Sequence, residues 1–329
     1  MTPNPDKRRN RHRRPPPPRH DRQTPLPWHC PKPAEDDPEA PKRVRQLLES
    51  ASYRQADDDP ALLAQPQMRG LRLHLDYWKA EQLLQAQHVA HTIVVFGSTR
   101  TCEPAAAARG LASAREALDA APDDAQALAN VRIAERIVEK SRYYEIAREF
   151  GRLVSEANRG RASNQLVVMT GGGPGIMEAA NRGAFDVGEK TIGCNVKLPH
   201  PQFPNPYISP DLCFRFHYFA IRKLHLVQRA RALVVFPGGY GTLDELFEAL
   251  ALVQTRTIAP LPIVLVGERY WRRLVDFEFL VDEGVIDPED LDLFWFAETA
   301  EEIWAGIRDW HADARTPAQP DANVSSVSP

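Results

Sequence analysis

One segment constrains the fold of this chain more than any other. An apolar run at residues 233–236 passes directly into a glycine-rich turn at residues 237–242, and an amphipathic helical pattern follows from Leu243. A short apolar run that leads into a helix is typical of a strand buried in a parallel sheet. The turn then directs several backbone N–H groups towards one point at a helix N-terminus. This is a ready site for an anion, and phosphate is the commonest biological one.

Apolar runs of the same kind recur along the chain and alternate with helical patterns. The expected strands cover residues 91–96, 166–169, 191–196, 212–216, 232–236 and 263–266, with a last short one at 293–296. Residues 105–158 form a long helical region whose second part is strongly amphipathic. The alternation predicts an α/β fold, a Rossmann-like doubly wound parallel sheet with helices on both faces. Ligands bind such sheets beyond the carboxyl ends of the strands.

The segments outside the sheet differ in composition from the expected domain at residues 91–312. A helical extension is expected over residues 42–90, where Asp59-Pro60 has the pattern of a helix N-cap followed by proline. Disordered tails are expected at residues 1–41, which are basic and proline-rich, and at residues 313–329. The basic tail fits a solvated segment or a misplaced start codon, or alternatively an electrostatic tether to nucleic acid or anionic surfaces.

Composition excludes several classes of protein. The net charge of −3 argues against a nucleic-acid binder as a whole. The four cysteines are scattered without a CxxC pair, which favours reduced thiols in a cytoplasmic protein and argues against a disulfide framework or a zinc knuckle. No apolar run approaches the ~18 residues that a membrane helix needs. We expect no metal.

Three glycine-bearing loops follow expected strands and should share one edge of the sheet. They begin at Gly97, Gly171 and Pro237. Their candidate ligand-binding residues are Gly97, Ser98, Arg100, Gly172, Gly173, Gly238, Gly239, Tyr240, Gly241 and Thr242. The first loop lacks the GxGxxG fingerprint and its acidic ribose ligand, which disfavours a nicotinamide dehydrogenase, and no Walker loop occurs.

Charged side chains near these loops are the candidates for chemistry. Glu245 lies about one helical turn beyond the glycine turn, where a carboxylate could bind ribose hydroxyls, activate water or stabilise positive charge. It could equally be a helix-start charge favoured by the dipole. Glu178 is open to the same two interpretations. Arg222 stands on the helix that precedes the glycine turn, and such an arginine usually pairs with a surface acid. We expect its neighbour Lys223 to have a surface role.

The motifs together resemble those of one family. The run from Pro237 to Glu245 matches the PGGxGTxxE motif of the LOG ("Lonely Guy") family, and Arg222-Lys223 stands where that family has an Arg-Lys pair. The glycine loop from Gly171 to Glu178 and the Gly97-Ser98 turn are also similar to the family's loops, over about residues 90–310. The resemblance implies that Arg222 and Glu245 are the catalytic pair. It also implies that the turn holds a 5′-phosphate and that Lys223 and Glu178 belong to the binding set.

The resemblance further implies an activity. LOG proteins are cytokinin riboside 5′-monophosphate phosphoribohydrolases and related nucleosidases, often mislabelled lysine decarboxylases. We therefore expect hydrolysis of AMP or a cytokinin riboside monophosphate to the free base and ribose 5-phosphate, without a cofactor. A homodimer or higher homo-oligomer with the site near the interface is expected as well. The long helical region and the N-terminal helices indicate a longer bacterial branch, for which AMP or other purine monophosphates are expected as much as cytokinin riboside monophosphates.

Other interpretations stay open beside this one. The same pocket would serve a non-catalytic nucleotide-binding or sensing protein. A pyridoxal-dependent decarboxylase is disfavoured because no lysine stands at a glycine-loop strand end. The aromatic residues Phe203, Tyr207 and Tyr240 are candidates for stacking on the base.

Overall fold

The computed structural model describes residues 30–157, 165–200 and 202–313, together with Thr24 and Leu26. The chain forms two compact units, one up to Arg69 and one from Gly70 onwards. Of the tails expected at residues 1–41 and 313–329, residues 1–23, 25, 27–29 and 314–329 lie outside the described residues. No helix in the described ranges combines the length and apolarity that a membrane crossing needs.

The first unit contains short helices. Helix α1 spans Ala40–Leu48 and α2 spans Pro60–Leu63. The Asp59 side chain accepts hydrogen bonds from the backbone N–H groups of Ala61 and Leu62, so the capping role that the Asp-Pro pair predicts is confirmed. Three single turns of 3₁₀ helix, at Ala51–Tyr53, Ala56–Asp58 and Pro66–Met68, complete this unit.

The second unit is built on a parallel sheet. Its strands are β1 (Val89–Phe96), β2 (Gln165–Thr170), β3 (Thr191–Val196), β4 (Cys213–Phe216), β5 (Ala230–Val235), β6 (Ile263–Val266) and β7 (Trp295–Ala297). They pair in the order β4-β3-β2-β1-β5-β6-β7, and every pair is parallel. The chain therefore winds outwards from β1 to one edge and returns to wind the other way from β5. The predicted Rossmann-like α/β fold is confirmed, with its topological switch point between β1 and β5.

Helices cover both faces of this sheet. They are α3 (Arg69–Ala86), α4 (Pro104–Ala120), α5 (Ala125–Lys140), α6 (Arg142–Glu156), α7 (Ile176–Asp186), α8 (Phe219–Gln228), α9 (Tyr240–Gln254), α10 (Glu268–Leu274), α11 (Phe277–Asp282) and α12 (Ala300–Asp313). Alternate residues of β1 enter two separate cores. Val94 packs with residues of α3, α8 and α9, whereas Val95 packs with residues of α6, α7 and α12. Burial on both faces explains why the strands read as continuous apolar runs.

The helical region expected at residues 105–158 contains the three helices α4, α5 and α6. Pro122 follows the end of α4, and Asp124 caps α5 by accepting from the Gln126 N–H. One difference from the sequence-based expectation concerns a helix boundary. Helix α9 begins at Tyr240 rather than at Leu243, since Gly239 serves as its N-cap and its carbonyl accepts from the Leu243 N–H. Glu245 consequently lies more than one turn inside the helix.

Candidate functional site

The three glycine-bearing loops meet at the switch point. The Ser98 N–H donates to the Pro237 carbonyl at 3.1 Å, and the Ser98 carbonyl accepts from the Ile176 N–H at 3.1 Å. The backbone of one residue, Ser98, therefore joins the loop after β1 to the loop after β5 and to the start of α7. The sheet order explains this meeting, because β1 lies between β2 and β5.

Glycine is required where these loops approach each other. A Cβ atom on Gly97 would lie 2.7 Å from the Ile176 side chain. A Cβ on Gly175, whose φ is +77°, would lie 2.3 Å from the Ser98 carbonyl oxygen. Both distances are too short for any side chain, and the second contact is with backbone that cannot rotate away. These glycines allow the β1 loop to seat against α7.

A cavity of about 640 Å³ opens over the meeting point. It is lined by the expected residues Gly97, Ser98, Arg100, Arg222, Gly238, Gly239, Tyr240, Gly241, Thr242 and Glu245. Its volume lies in the range of small-molecule sites. The strand ends and the helix that follows β5 thus gather residues from separate parts of the chain into one concave surface.

Four expected binding residues lie outside the cavity lining. Gly172 sits against Asn195, and Gly173 sits against Met177. The Glu178 carboxylate accepts a hydrogen bond from the Tyr144 hydroxyl at 2.9 Å, between α7 and α6.

Lys223, the fourth of these residues, is held on the outer side of α9. Its ammonium lies 2.8 Å from the Asp244 carboxylate and 3.0 Å from that of Glu248. These two carboxylates raise the pKa of the Lys223 ammonium against the opposing effect of burial. Lys223 therefore joins α8 to α9 as part of the scaffold behind the cavity.

The N-terminus of α9 lines the cavity and is suited to binding an anion. Gly239 is extended at the N-cap, and the following N–H groups of Tyr240 and Gly241 belong to the first turn, whose donors have no intrahelical acceptor. The positive end of the helix dipole favours negative charge at this place. The Tyr270 hydroxyl donates to the Gly238 carbonyl at 2.5 Å and so holds the turn from the side of α10.

Arg222 and Glu245 form a buried pair at the inner end of the cavity. Nη2 of Arg222 lies 3.5 Å from Oε1 of Glu245, and their side chains are 12% and 5% exposed. The Nε atom of Arg222 donates to the Cys194 carbonyl at 2.9 Å, which ties the guanidinium to the end of β3. The guanidinium also lies over the Phe219 ring at 5.2 Å. Its orientation towards Glu245 is therefore held by contacts from two other directions.

Burial controls the acidity of Glu245. Desolvation raises the pKa of its carboxyl to about 7, against the opposing charges of Arg222 and Lys223. A carboxyl group with a pKa near neutrality can accept a proton and release it at physiological pH. A pKa that is shifted by burial next to one specific charged group is typical of functional sites.

Several lining residues were not expected from the sequence. They are Lys140, Met177, Val196, Leu198, Gln202, Phe219 and Tyr270. Met177 lies within the motif from Gly171 to Glu178 and Phe219 lies three residues before Arg222, so proximity to the motifs was an available signal. Lys140 and Tyr270 end or begin helices far from any glycine loop, and only the fold brings them here.

The three aromatic residues considered for base stacking separate in the structure. Tyr240 lines the cavity and is 92% exposed. Tyr207 packs against Phe185, with ring centroids 5.5 Å apart, and beneath the Arg182 guanidinium. Phe203 is largely exposed and is not part of the lining. In the described ranges, no group of three or more histidine, cysteine, aspartate or glutamate side chains is arranged to hold a metal ion.

The fold and site together define a Rossmann-like α/β protein with a glycine-lined helix N-terminus and a buried arginine–carboxylate pair in one cavity. A family model described as possible lysine decarboxylase matches residues 177–307, which include both members of the pair. Curated relatives carry a different description, cytokinin riboside 5′-monophosphate phosphoribohydrolase, and the names LOG3 and LOG1. Over this region the chain is similar to the LOG family.

The similarity to these relatives is moderate. LOG3 of Arabidopsis thaliana is 29% identical over 172 residues, which cover 50% of this chain and 74% of that protein. LOG1 of the same plant is 29% identical over 149 residues, covering 44% and 68%. A probable phosphoribohydrolase of rice, LOGL3, is 26% identical over 156 residues, also covering 44% and 68%. A solved structure of TM1055, a structural genomics target, aligns with a TM-score of 0.41 and 21% identity over 67% of this chain and 99% of that one.

Proposed function

We propose that this protein hydrolyses the N-glycosidic bond of a nucleoside 5′-monophosphate, AMP or a cytokinin riboside monophosphate, to the free base and ribose 5-phosphate. The observation that carries the proposal is the buried Arg222–Glu245 pair, which shares one cavity with the glycine-lined N-terminus of α9. The phosphoribohydrolase names of the LOG relatives support the same reaction class.

Binding would begin with the phosphate at the N-terminus of α9. The N–H groups of Tyr240 and Gly241 and the hydroxyl of Thr242 would contact the phosphate oxygens, and the Arg100 side chain lines the same cavity. Because the phosphate is remote from the bond that breaks, its binding energy would serve to position the ribose. The ribose would then lie towards Glu245.

The chemical step develops positive charge at C1′ of the ribose as the bond to the base weakens. The ionised Glu245 carboxylate would stabilise that charge and accept a proton from the attacking water. The water oxygen forms the new bond to C1′, the C1′–N bond electrons leave with the base, and the base gains a proton. Arg222 would hold Glu245 in place and favour its ionised form.

One polar group in the cavity supports an adenine-type base. The Oε1 atom of Gln202 is buried and has no hydrogen-bond partner among the described residues, while Gln202 lines the cavity. A buried acceptor of this kind would be satisfied by an exocyclic amino group such as that of adenine.

The test is base release from AMP, GMP, CMP, UMP and isopentenyl-AMP, followed by chromatography together with ribose 5-phosphate. Glu245→Gln should lower kcat for the best substrate by roughly 10²-fold or more. The matched control is Asp244→Asn, because Asp244 is the neighbouring acid, pairs with Lys223 and does not line the cavity.

Two outcomes would contradict the proposal. Near-normal turnover by a folded Glu245→Gln variant would remove Glu245 from the mechanism. Nucleotide binding without release of base from any substrate would favour the alternative function, a nucleotide-binding or sensing protein that uses the same pocket.

Decarboxylation, which the description of the family model suggests, has less support from the site. A pyridoxal enzyme needs a lysine that is desolvated or otherwise activated to form its Schiff base. Lys140 lines the cavity but is exposed, and its Nζ lies 5.6 Å from the centre of the Tyr270 ring. Carbon dioxide release from lysine by protein supplied with pyridoxal phosphate would reverse this preference.

A homo-oligomer in the cytoplasm is part of the proposal. Leu71, Leu75 and Trp78 of α3 recur at helical spacing and remain substantially exposed, whereas Leu84 of the same helix is buried in the core. An exposed apolar stripe of this kind supports an interface between subunits. The cysteines in the described residues are all unpaired, which fits a reducing compartment. Light scattering of the purified protein tests the assembly, and a monomer at micromolar concentration would contradict it.

A further inference from the structure

A second cavity of about 720 Å³ lies beside the candidate active site, between the β1 loop and α5. Ser98, Arg100 and Lys140 line both cavities, so the two form a continuous surface. The monophosphate chemistry proposed above leaves this second space without a role. It lies entirely outside residues 177–307, the part of the chain that the family model matches.

The helix that walls this cavity carries a basic stripe. Arg132, Arg136 and Lys140 of α5 are spaced four residues apart, which places them on one face of the helix, and all three line the cavity. Like charges at this spacing destabilise a helix in isolation. This face of α5 is therefore suited to contact with a negatively charged group from outside the helix.

Most of this positive charge is not neutralised within the protein. Arg136 pairs with Glu139 at 2.9 Å, and the cavity's other acid, Glu135, pairs with Arg115 at 3.2 Å. In the part of the chain that the structure describes, Arg100, Arg132 and Lys140 have no carboxylate within 4.0 Å. Three cations without a carboxylate partner among the described residues thus line one space.

The stripe begins next to the turn that would hold the 5′-phosphate. The Lys140 ammonium lies 5.6 Å from the centre of the Tyr270 ring, and the Tyr270 hydroxyl donates to the Gly238 carbonyl. From Lys140 the cations continue along α5 to Arg132, away from Glu245. A ligand that carries negative charge beyond its 5′-phosphate would contact these cations one after another.

We propose that the second cavity is a subsite for the β- and γ-phosphates of a nucleoside 5′-di- or triphosphate, so that the protein accepts 5′-polyphosphates in addition to monophosphates. The inference rests on the proposed function, since it assumes that the 5′-phosphate lies at the N-terminus of α9. Arg100 and Lys140 would contact the β-phosphate, and Arg132 would contact the γ-phosphate or the outer oxygens of the β-phosphate.

The experiment is calorimetric titration of the full chain with AMP, ADP and ATP. Wild-type protein should bind ADP and ATP more tightly than AMP. Arg132→Ala should weaken ADP and ATP binding by roughly 5- to 10-fold and leave AMP binding unchanged, since Arg132 lines only the second cavity. Arg132→Lys should retain part of the difference. The control is Arg215→Ala, because Arg215 is an exposed arginine on the edge strand β4 and lines neither cavity.

The possible failures are distinguishable. Binding of ADP no tighter than that of AMP, or equal effects of Arg132→Ala and Arg215→Ala, would overturn the subsite even if AMP is hydrolysed. Tight ADP binding that depends on Arg132, without release of base from any nucleotide, would support the subsite and overturn the proposed hydrolysis instead.

Discussion

The guanidinium of Arg222 lies 3.5 Å from the Glu245 carboxylate, and the two residues reach each other from helices on either side of β5 in the chain. Arg222 is also bonded to the Cys194 carbonyl at the end of β3. The arginine therefore links the two halves of the sheet at the switch point. Its charge lowers the pKa of Glu245, whereas burial raises that pKa by more.

Activity should depend on pH through Glu245. Its pKa is about 7 because of burial, and the ionised form is the one proposed to accept a proton from water. We expect kcat/KM to fall about tenfold for each pH unit well below 7 and to level off above it. A pH profile of base release from AMP measures this directly. A profile without an acid limb between pH 5 and 8 would contradict the role of Glu245.

Replacing Arg222 should shift the pH profile of kcat/KM. Arg222→Ala removes the largest effect that opposes burial, so the pKa of Glu245 should rise further and the acid limb should move to higher pH. Arg222→Lys keeps a charge but loses the geometry of the bond to Cys194, and we expect a smaller displacement. The profiles of both variants should be compared with that of Lys223→Ala, because Lys223 also lowers the Glu245 pKa from outside the cavity. Identical profiles for all three would refute the assignment.

Stability should respond to pH with a sign opposite to that of most carboxylates. The Glu245 pKa is raised from 4.5 in the folded protein, so its protonated form stabilises the fold below about pH 4.5, and this contribution is lost as pH rises through about 7. Glu245→Gln cannot ionise and should be more stable than wild type above pH 7, by on the order of 2–3 kcal/mol. Thermal unfolding at pH 5 and pH 8 measures the difference. A variant that is less stable than wild type at pH 8 would contradict the prediction.

The loop junction should not tolerate a side chain at Gly175. Alanine there would combine a positive φ of +77° with a contact 2.3 Å from the Ser98 carbonyl. Gly188 has the same φ, but a Cβ there meets nothing within 4 Å, so Gly188→Ala isolates the cost of the backbone conformation. We expect about 1 kcal/mol for Gly188→Ala and at least 1–3 kcal/mol more for Gly175→Ala. Equal losses in chemical denaturation would show that the loops can separate without cost.

The hydroxyl of Tyr270 should matter for binding more than for folding. Tyr270→Phe removes the donor to the Gly238 carbonyl and leaves the ring in place. We expect a loss of about 1 kcal/mol in stability and a KM for AMP that rises severalfold with little change in kcat, since the turn and not the carboxylate is affected. Tyr53→Phe, an exposed tyrosine of the first unit, is the control. An unchanged KM would indicate that α9 holds the turn without help from α10.

Local sequence patterns determined a large part of this structure. The strands at residues 191–196 and 263–266 occur where the apolar runs predict them, and the parallel sheet follows from their alternation with helices. The glycine turn and the position of Glu245 behind it were also readable, because a strand, a tight turn and a helix N-terminus depend on neighbouring residues. Local patterns failed at boundaries set by capping, such as the start of α9 at Gly239.

Only the tertiary structure decided which side chains face the cavity. Lys223 follows Arg222 directly, yet one ammonium binds acids outside the cavity while the neighbouring guanidinium reaches Glu245 inside it. Lys140 and Tyr270 enter the site from helices that no motif marks. The pKa of Glu245 likewise depends on the burial created by packing of elements distant in sequence. These properties arise from long-range contacts, whereas the motifs record only the local geometry of the backbone.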